Sequence, residues 1–519
     1  MSENKTESRT KKSIHNSAVA LLMFCLNLLL QFFSRKIFLD HLGTDILGLN
    51  TTATNLLQFL NLAELGIGSA VGFALFKPLF EKDENGINEI LSLQGWLYRR
   101  IAYFIIGGAA ILMCFFPLIF EKITLPLWYA YASFSVLLFS AMLGYFVNYK
   151  MILLTADQKD YKLQYAFRLV MMIKVLMQMV AVKWLSNGYI WWLVLEFVFA
   201  IISSVAINRT LRTTYPYLKN TTVDFKTLRE KHKELITKIK QLFFHKIGTF
   251  VLTQTSPLII YAYTTLTVVA LYGNYQLIIN GFTGLIIAVF NSMAAGVGNL
   301  VASSAQDKIM KVFRELFSIR FVVIFSICLV IYVVTPSFIK IWIGDQYILS
   351  PLTLILMIGI FYVMTSRLTV DAFVNGFGLF GDIWAPIAEG ILNIGCSIIL
   401  GAKYGLNGII SGVLISLIAS MIIWKPYYLF TRKLKGYYKC YLIDYCEHIV
   451  AAAAATVVIL QVTKQVSPEI CTNFLSLALY AIVVFCISAV ILSVILVILP
   501  TGLRYFFKRL FSTRTRNIQ

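Results

Sequence analysis

Charged residues are scarce in this chain. Asp, Glu, Lys and Arg make up 13% of its 519 residues, whereas ordinary soluble domains carry about 25%. Hydrophobic residues make up 59% of the sequence, and the mean hydropathy is +0.77. This balance excludes an ordinary soluble protein and predicts an all-α polytopic membrane protein.

Catalytic and metal-binding motifs are also missing from the sequence. The eight cysteines form no CxxC pair and no cluster with histidine, so no metal site and no disulfide framework are predicted. There is no Walker A loop, HExxH motif or GxSxG motif. The chain is therefore expected not to be an enzyme and to need no cofactor. The first apolar run, 17–38, is too long for a signal-peptide core, so no cleavable signal is expected.

The net charge of +20 comes from 45 Lys and Arg against 25 Asp and Glu. In a membrane protein such an excess is expected in cytoplasmic loops, where anionic lipid headgroups are its counterions. A nucleic-acid partner is therefore not expected. Most of the basic residues, including those at 425–439, fall on the side that the two termini share. The positive-inside rule then places both termini in the cytoplasm.

Apolar segments that reach the roughly 20 residues needed to cross a bilayer recur along the chain. Fourteen spans are predicted, although 447–463 is the shortest and a count of twelve or thirteen stays open. The spans are 17–38, 47–76, 99–120, 126–149, 163–185, 188–207, 246–270, 274–301, 315–336, 350–374, 382–402, 406–429, 447–463 and 473–499.

The longest interior polar segment separates the first six spans from the last eight. It contains LREKHKELITKIKQLFF, which predicts a basic amphipathic helix at the cytoplasmic interface or a solvated helical linker. Three short similarities, 220 to 225 positions apart, favour a duplicated lobe: Leu47-Gly48 with Tyr272-Gly273, Asp160 with Asp382, and Asn187-Gly188 with Asn407-Gly408. The predicted parts are an N-terminal lobe at 1–207, a basic linker at 208–245, a C-terminal lobe at 246–430, and two further helices with a basic tail at 431–519.

Polar side chains inside the spans are the candidate functional residues, because each is costly in hydrocarbon. A cavity lined by cations would suit an anionic, hydroxyl-rich cargo, since guanidinium groups bind phosphate with two hydrogen bonds. The substrate-binding candidates are Asn27, Gln31, Arg35, Asn50, Asn61, Arg168, Lys174 and Arg367. The acids Glu64, Glu196, Asp371 and Glu389 are candidates for coupling to a proton or sodium gradient.

Each candidate also has a simpler structural interpretation. Arg367 and Asp371 are four residues apart and can neutralise each other on one helix. Arg168 can extend to the cytoplasmic headgroups, and Glu64 can accept hydrogen bonds from a neighbouring helix.

The second span is unusually polar for a membrane helix. If it is one α-helix, Asn50, Asn61 and Glu64 share a face, which we predict to line a polar cavity. Asn55 and Gln58 are then expected to pack against neighbouring helices.

The stretch around this span, HLGTDILGLNTTATNLLQFLNLAELGIGSAVGFALFKPLFEKDENGINEI, resembles the N-terminal signature of Wzx-type polysaccharide flippases. The matching elements are LG-x4-GLN at 42–50, L-x2-LAELGIGSA at 57–70 and KPL at 77–79. These flippases belong to the multidrug/oligosaccharidyl-lipid/polysaccharide (MOP) exporter superfamily. The resemblance implies a MATE-like fold of two six-helix lobes plus two C-terminal helices, working by alternating access.

The same resemblance implies the cargo and its setting. The expected substrate is an undecaprenyl-diphosphate-linked oligosaccharide, flipped across a bacterial inner membrane for O-antigen, capsule or exopolysaccharide. A polysaccharide polymerase and glycosyltransferases are the expected protein partners. The alternatives are a MATE-type drug or cation antiporter and a lipid II flippase. The antiporter is expected to have a cavity dominated by acidic residues. A membrane glycosyltransferase or polymerase is disfavoured by the short outward loops.

Overall fold

The computed structural model is helical throughout the part of the chain that it describes. That part comprises residues 9–64, 66–121, 125–157, 159–219, 224–240, 243, 255–291, 297–298, 300–301, 304–379, 381–382, 384–465 and 473–516. These ranges contain no β-strand. The predicted all-α fold class is therefore confirmed.

The chain divides into two compact units, Met1–Ala270 and Leu271–Gln519. The predicted boundary between the two lobes, at 245/246, precedes this division and stays a prediction. The first unit holds α1 Arg9–Leu60, α2 Ile67–Glu81, α3 Glu84–Cys114, α4 Phe116–Ile119, α5 Trp128–Phe146, α6 Ile152–Ala156, α7 Asp160–Leu163, α8 Leu169–Trp184, α9 Gly188–Thr214, α10 Phe225–Lys231 and α11 Ser256–Tyr263.

The division falls inside the next helix, α12 Leu266–Asn291. The second unit then holds α13 Gln306–Trp342, α14 Pro351–Ser366, α15 Leu368–Gly376, α16 Trp384–Leu417, α17 Lys425–Arg432, α18 Tyr438–Gln465, α19 Phe474–Ile498 and α20 Gly502–Arg516. A π-helical turn, Ile418–Trp424, joins α16 to α17.

Ten helical stretches in the described part are long and apolar enough to cross a membrane, as expected of a multi-pass membrane protein. Two of them each run through two predicted spans: Leu22–Leu60 covers most of 17–38 and the first 14 residues of 47–76, and Trp384–Arg432 covers most of 382–402 and all of 406–429. A straight helix of the second stretch's 49 residues would be about 74 Å long, whereas the hydrocarbon core is about 30 Å thick. A glycine with non-helical backbone angles interrupts each stretch: Gly43 at φ 82°, ψ 175°, and Gly405 at φ 56°, ψ −132°.

The count of fourteen spans stays a prediction. Part of the predicted span 246–270 and part of 274–301 lie outside the described residues.

The reversal at Gly405 brings the two arms of α16 into direct contact. The Ser397 hydroxyl donates to the carbonyl of Ile409 at 3.1 Å. A methyl group on Gly408 would lie 2.0 Å from the Leu400 carbonyl oxygen, and one on Gly412 would lie 2.4 Å from the Ser397 nitrogen. The arms are therefore packed backbone against backbone, which is possible only because these positions carry no side chain.

The predicted amphipathic segment packs on the first unit. The Phe225 ring stacks on Trp96 of α3 with centroids 3.2 Å apart, and Leu228 and Leu235 are buried. Lys231 Nζ lies 2.8 Å from a carboxylate oxygen of Glu89. The buried leucines of this segment thus contact protein, because the start of α3 offers an apolar surface and an acidic partner. The assignment of 208–245 as a basic cytoplasmic linker or amphipathic helix stays a prediction.

We expect Gly412→Ala to destabilise the second unit, because the added methyl group forces the two arms of α16 apart. Overpacking of this kind costs about 1–3 kcal/mol. The midpoint of thermal unfolding in detergent measures the effect. Gly395→Ala is the matched control, since a methyl group there has no neighbour within 4 Å. Equal midpoints for the two variants would contradict the close packing of the arms.

Candidate functional site

Lys174 and Glu196 form a buried ion pair in the first unit. Helix α8 carries Lys174 and Gln178 one turn apart on one face, and α9 carries Glu196. Lys174 Nζ lies 2.7 and 2.8 Å from the two carboxylate oxygens, and Gln178 Nε2 donates to one of them at 3.0 Å. The charged side chains are 13% and 11% exposed. A predicted substrate-binding cation and a predicted ion-coupling acid therefore neutralise each other.

Glu64 is held by tyrosines from two other helices. Tyr98 of α3 donates to one carboxylate oxygen at 2.7 Å, and Tyr145 of α5 donates to the other at 2.8 Å. The Tyr145 hydroxyl also lies 3.1 Å from Asn61 Oδ1. Asn61 and Glu64 bound a 3₁₀ turn between α1 and α2, and Gly66 follows it at φ 95°. The helix predicted across the second span is therefore interrupted after Leu60. The prediction that Asn50, Asn61 and Glu64 share one helical face assumes a continuous helix and does not hold past that point.

Asn50 is the other polar anchor of the second span. It is buried, and its Oδ1 accepts from the Ser133 hydroxyl at 2.5 Å and from the Tyr189 hydroxyl at 3.0 Å. Asn55 is buried as well. Asn50 thus ties α1 to α5 and α9.

The remaining candidates of the first unit lie closer to its surface. The half-buried Arg35 guanidinium donates to the carbonyl of Ala270 at 3.1 Å. Asn27 is half-buried, and Gln31 is exposed. Arg168 is exposed at the end of a π-helical turn, a position that leaves its side chain free to extend.

In the second unit, Arg367 and Asp371 meet as the spacing predicts, but a third charge joins them. Asp371 Oδ2 lies 3.3 Å from Arg367 Nε, and Asp371 Oδ1 accepts from Lys425 Nζ at 2.6 Å. Arg367 also contacts the Met421 sulfur at 3.4 Å. The three charges, hereafter the Asp371 cluster, carry one surplus positive charge at sites that are each 25% exposed or less.

The role of Lys425 is not predicted from the sequence. The loop charges place this residue on the cytoplasmic side, whereas in the structure Lys425 begins α17 directly after the π-helical turn. The signal that would find it is its position: it lies within an apolar stretch that runs without a break from α16.

Glu389 and Asn393 are buried one turn apart on α16, at 5% and 0% exposure. One Glu389 carboxylate oxygen accepts from the Ser420 hydroxyl at 2.8 Å. The other oxygen and both amide atoms of Asn393 have no hydrogen-bond partner among the described residues. Glu389 and Ser420 also line a cavity of about 420 Å³. Buried polar atoms are rarely left unpaired, so this is the least satisfied of the candidate groups.

Comparison with known proteins identifies the fold. No protein family and no curated protein matches the chain by sequence. Among solved structures, the lipid II flippase MurJ in an inward closed conformation matches with a TM-score of 0.61 and 16% identity, covering 93% of this chain and 99% of that one. An inward-facing multidrug resistance MATE family transporter of the MOP superfamily matches with a TM-score of 0.57 and 14% identity. The match covers 81% of this chain and 99% of that one.

A third structure is a MOP superfamily transporter from Pyrococcus furiosus with a binding pocket of reverse polarity. It matches with a TM-score of 0.51 and 14% identity, covering 81% of this chain and 95% of its own. The chain therefore has a MATE-like fold. The fold predicted from the sequence is thereby confirmed.

We expect Lys174→Met to destabilise the protein by about 3 kcal/mol, because it leaves the Glu196 carboxylate buried without its cation. The double variant Lys174→Met/Glu196→Gln should regain most of that loss, since no uncompensated charge remains. Unfolding midpoints of the three proteins in detergent test this, with Lys183→Met, exposed at the end of the same helix, as the control. A double variant as unstable as the single one would argue against the pair.

Proposed function

We propose that this chain is a flippase that moves polyprenyl-diphosphate-linked oligosaccharide units across the bacterial cytoplasmic membrane by alternating access. The product would serve surface polysaccharide synthesis, such as O-antigen, capsule or exopolysaccharide. The fold supports a transporter, because two structures that share it are named as a multidrug transporter and a lipid II flippase. The signature-like block at 42–79 supports the polysaccharide branch.

The observation that carries the proposal is that cations outnumber the acid within the Asp371 cluster. Glu389 interacts electrostatically with Arg367 and Lys425 and offsets this excess when it is ionised. A cluster whose balance depends on a nearby acid is suited to an anionic group that takes the place of that acid. Arg367 supplies a planar guanidinium, which matches phosphate geometry, and Lys425 supplies a compact ammonium. A diphosphate headgroup satisfies both. The neutral Lys174–Glu196 pair is less suited to this role.

Among the four acids, Glu389 is the best supported for coupling transport to an ion gradient. Glu196 and Asp371 each accept from an ammonium group, and Glu64 accepts from two tyrosines. Glu389 accepts only from Ser420 among the described residues, and one of its oxygens is unpaired there. An unpaired buried carboxylate oxygen is a ready acceptor for a proton or a Na⁺ ion.

A lipid II flippase is the second candidate, because the likeness to MurJ covers 93% of this chain. A drug or cation antiporter is less suited, since the cations outnumber the acid in the Asp371 cluster. The proposal also places both termini in the cytoplasm and includes a polymerase and glycosyltransferases as partners.

We expect Arg367→Ala and Lys425→Ala each to slow flipping by about tenfold or more, because each removes a charge-assisted contact to phosphate. The assay reconstitutes the full chain in vesicles with a fluorescent polyprenyl-diphosphate-linked glycan and follows its exposure to an added quencher. Lys77→Ala is the control, since that side chain is 82% exposed. Unchanged rates in both variants, with an active parent protein, would remove the Asp371 cluster from the cargo path.

We expect Glu389→Gln to abolish the stimulation of flipping by an imposed proton or sodium gradient while the protein still folds. The amide has nearly the shape of the acid and keeps an acceptor for Ser420 but cannot bind and release a cation. The same vesicle assay, run with and without each gradient, measures the effect. A variant that responds to a gradient as the parent does would exclude Glu389 as the coupling residue.

A further inference from the structure

Another cavity of the second unit has a polar lining and is not part of the sites described above. It has a volume of about 520 Å³. Its walls are the side chains of Trp384 at the start of α16 and of Trp424, Tyr427 and Tyr428 around the start of α17. We call it the aromatic cleft. The 420 Å³ cavity that reaches Glu389 shares three of these residues, so the two cavities share a wall.

The aromatic rings of the cleft are packed against one another. The Trp384 and Trp424 ring centroids are 4.6 Å apart at 63°, and Trp424 stacks on Tyr428 at 6.0 Å and 20°. Such contacts fix the rings and leave their outer faces as flat apolar surfaces. Gly381 lies at the same cavity, where an added methyl group would be 3.0 Å from the Tyr428 hydroxyl. The cleft is therefore a shaped surface with little freedom to collapse.

The remaining lining of the cleft is charged. Arg432 and Lys435 line one part, and both are exposed, while the half-buried Asp382 lines another. The Arg432 guanidinium lies 6.0 Å from the Tyr428 ring centre, within the range of a cation–π contact. Two cations with exposed heads are available for an anionic ligand, and one carboxylate is available for a ligand that donates hydrogen bonds.

Trp424 adds a hydrogen-bond donor to the wall of the cleft. Its indole N–H is buried and finds no acceptor among the described residues. An unpaired buried donor costs free energy that a ligand acceptor recovers. Trp424 lines both cavities, so a ligand acceptor that displaces the side chains covering this N–H would satisfy it.

We propose that the aromatic cleft binds a sugar that carries a phosphate group. The apolar faces of a sugar ring fit the flat indole and phenol rings, and its hydroxyl groups fit Asp382 and the Trp424 N–H. Arg432 and Lys435 bind the phosphate. Two cations at the cleft disfavour an organic cation, and the charged lining disfavours an acyl chain. This inference rests on the proposed function, in which the cleft is a docking site for the glycosyl-phosphate head of the cargo.

The test measures binding of glucose 1-phosphate and N-acetylglucosamine 1-phosphate to the full chain in phosphatidylcholine nanodiscs, by ligand-observed NMR. Zwitterionic lipid keeps anionic headgroups away from Arg432 and Lys435. Inorganic phosphate and the unphosphorylated sugars serve as comparison ligands. The variants are Arg432→Ala/Lys435→Ala, which removes the cations, and Trp424→Phe, which keeps a ring but removes the N–H. The controls are Lys433→Ala, exposed on the same segment, and Trp184→Phe, exposed in the first unit.

We expect both sugar phosphates to bind, and the double variant to weaken that binding by about tenfold or more. Trp424→Phe should weaken binding of the sugar phosphates and leave inorganic phosphate unaffected, and both controls should bind as the parent does. Absence of binding to the parent, equal affinity for inorganic phosphate and sugar phosphate, or unchanged binding in both cleft variants would each overturn the proposal.

The flipping assay separates this inference from the function on which it rests. If the parent protein flips the cargo but the cleft variants bind sugar phosphate as the parent does, the proposed binding site in the cleft is wrong and the proposed function stands. Cleft-dependent binding without flipping supports the cleft and overturns the flippase.

Discussion

The cost of an uncompensated charge between membrane helices decides how the polar residues of this chain are arranged. Lys174 meets Glu196 with both oxygens in contact, and Asp371 lies between Lys425 and Arg367. Removing one partner of such a pair is far more costly than removing both. The charges therefore hold α8 against α9, and α17 against α15. Each set of charges is thus a structural link between helices.

Backbone conformation is the second constraint, and glycine meets it where the chain must reverse or approach itself closely. Gly405 adopts a positive φ between the arms of α16, and Gly408 and Gly412 allow those arms to touch. In the first unit, Gly48 has the same role: a methyl group there would lie 2.3 Å from the Leu266 carbonyl oxygen. A bundle of long apolar helices has few directional contacts, so these close approaches fix which helices are neighbours.

The sequence predicts the fold class well, because backbone N–H and C=O groups in a bilayer must be hydrogen-bonded within the protein. Long apolar segments can then form few structures other than helices. It also predicts the Arg367–Asp371 contact, which is local to one stretch of chain. It misses the role of Lys425 and the partners of Glu64, since these depend on which helices become neighbours. It does not predict the 3₁₀ turn at Asn61–Glu64, because the apolar pattern continues through Gly66 and Gly68 as it would in an unbroken helix.

Among the described residues, buried side-chain atoms without a hydrogen-bond partner occur in both units, as at Asn50 Nδ2 and Gln94 Oε1 of the first, and they are more numerous in the second. In the first unit the Lys174–Glu196 pair is neutral, and Glu64 accepts hydrogen bonds at both oxygens. In the second unit the Asp371 cluster retains a positive charge, and Glu389, Asn393 and Trp424 retain unpaired buried atoms among the described residues. Unpaired groups of this kind lower stability and persist where binding recovers the cost. Glu389 and Asn393 lie one turn apart on α16. Glu389 also lines one of two cavities whose walls share Trp424. The proposed ion site and the proposed headgroup site therefore both lie in the second unit, where occupancy of one cavity would alter the Trp424 wall of the other.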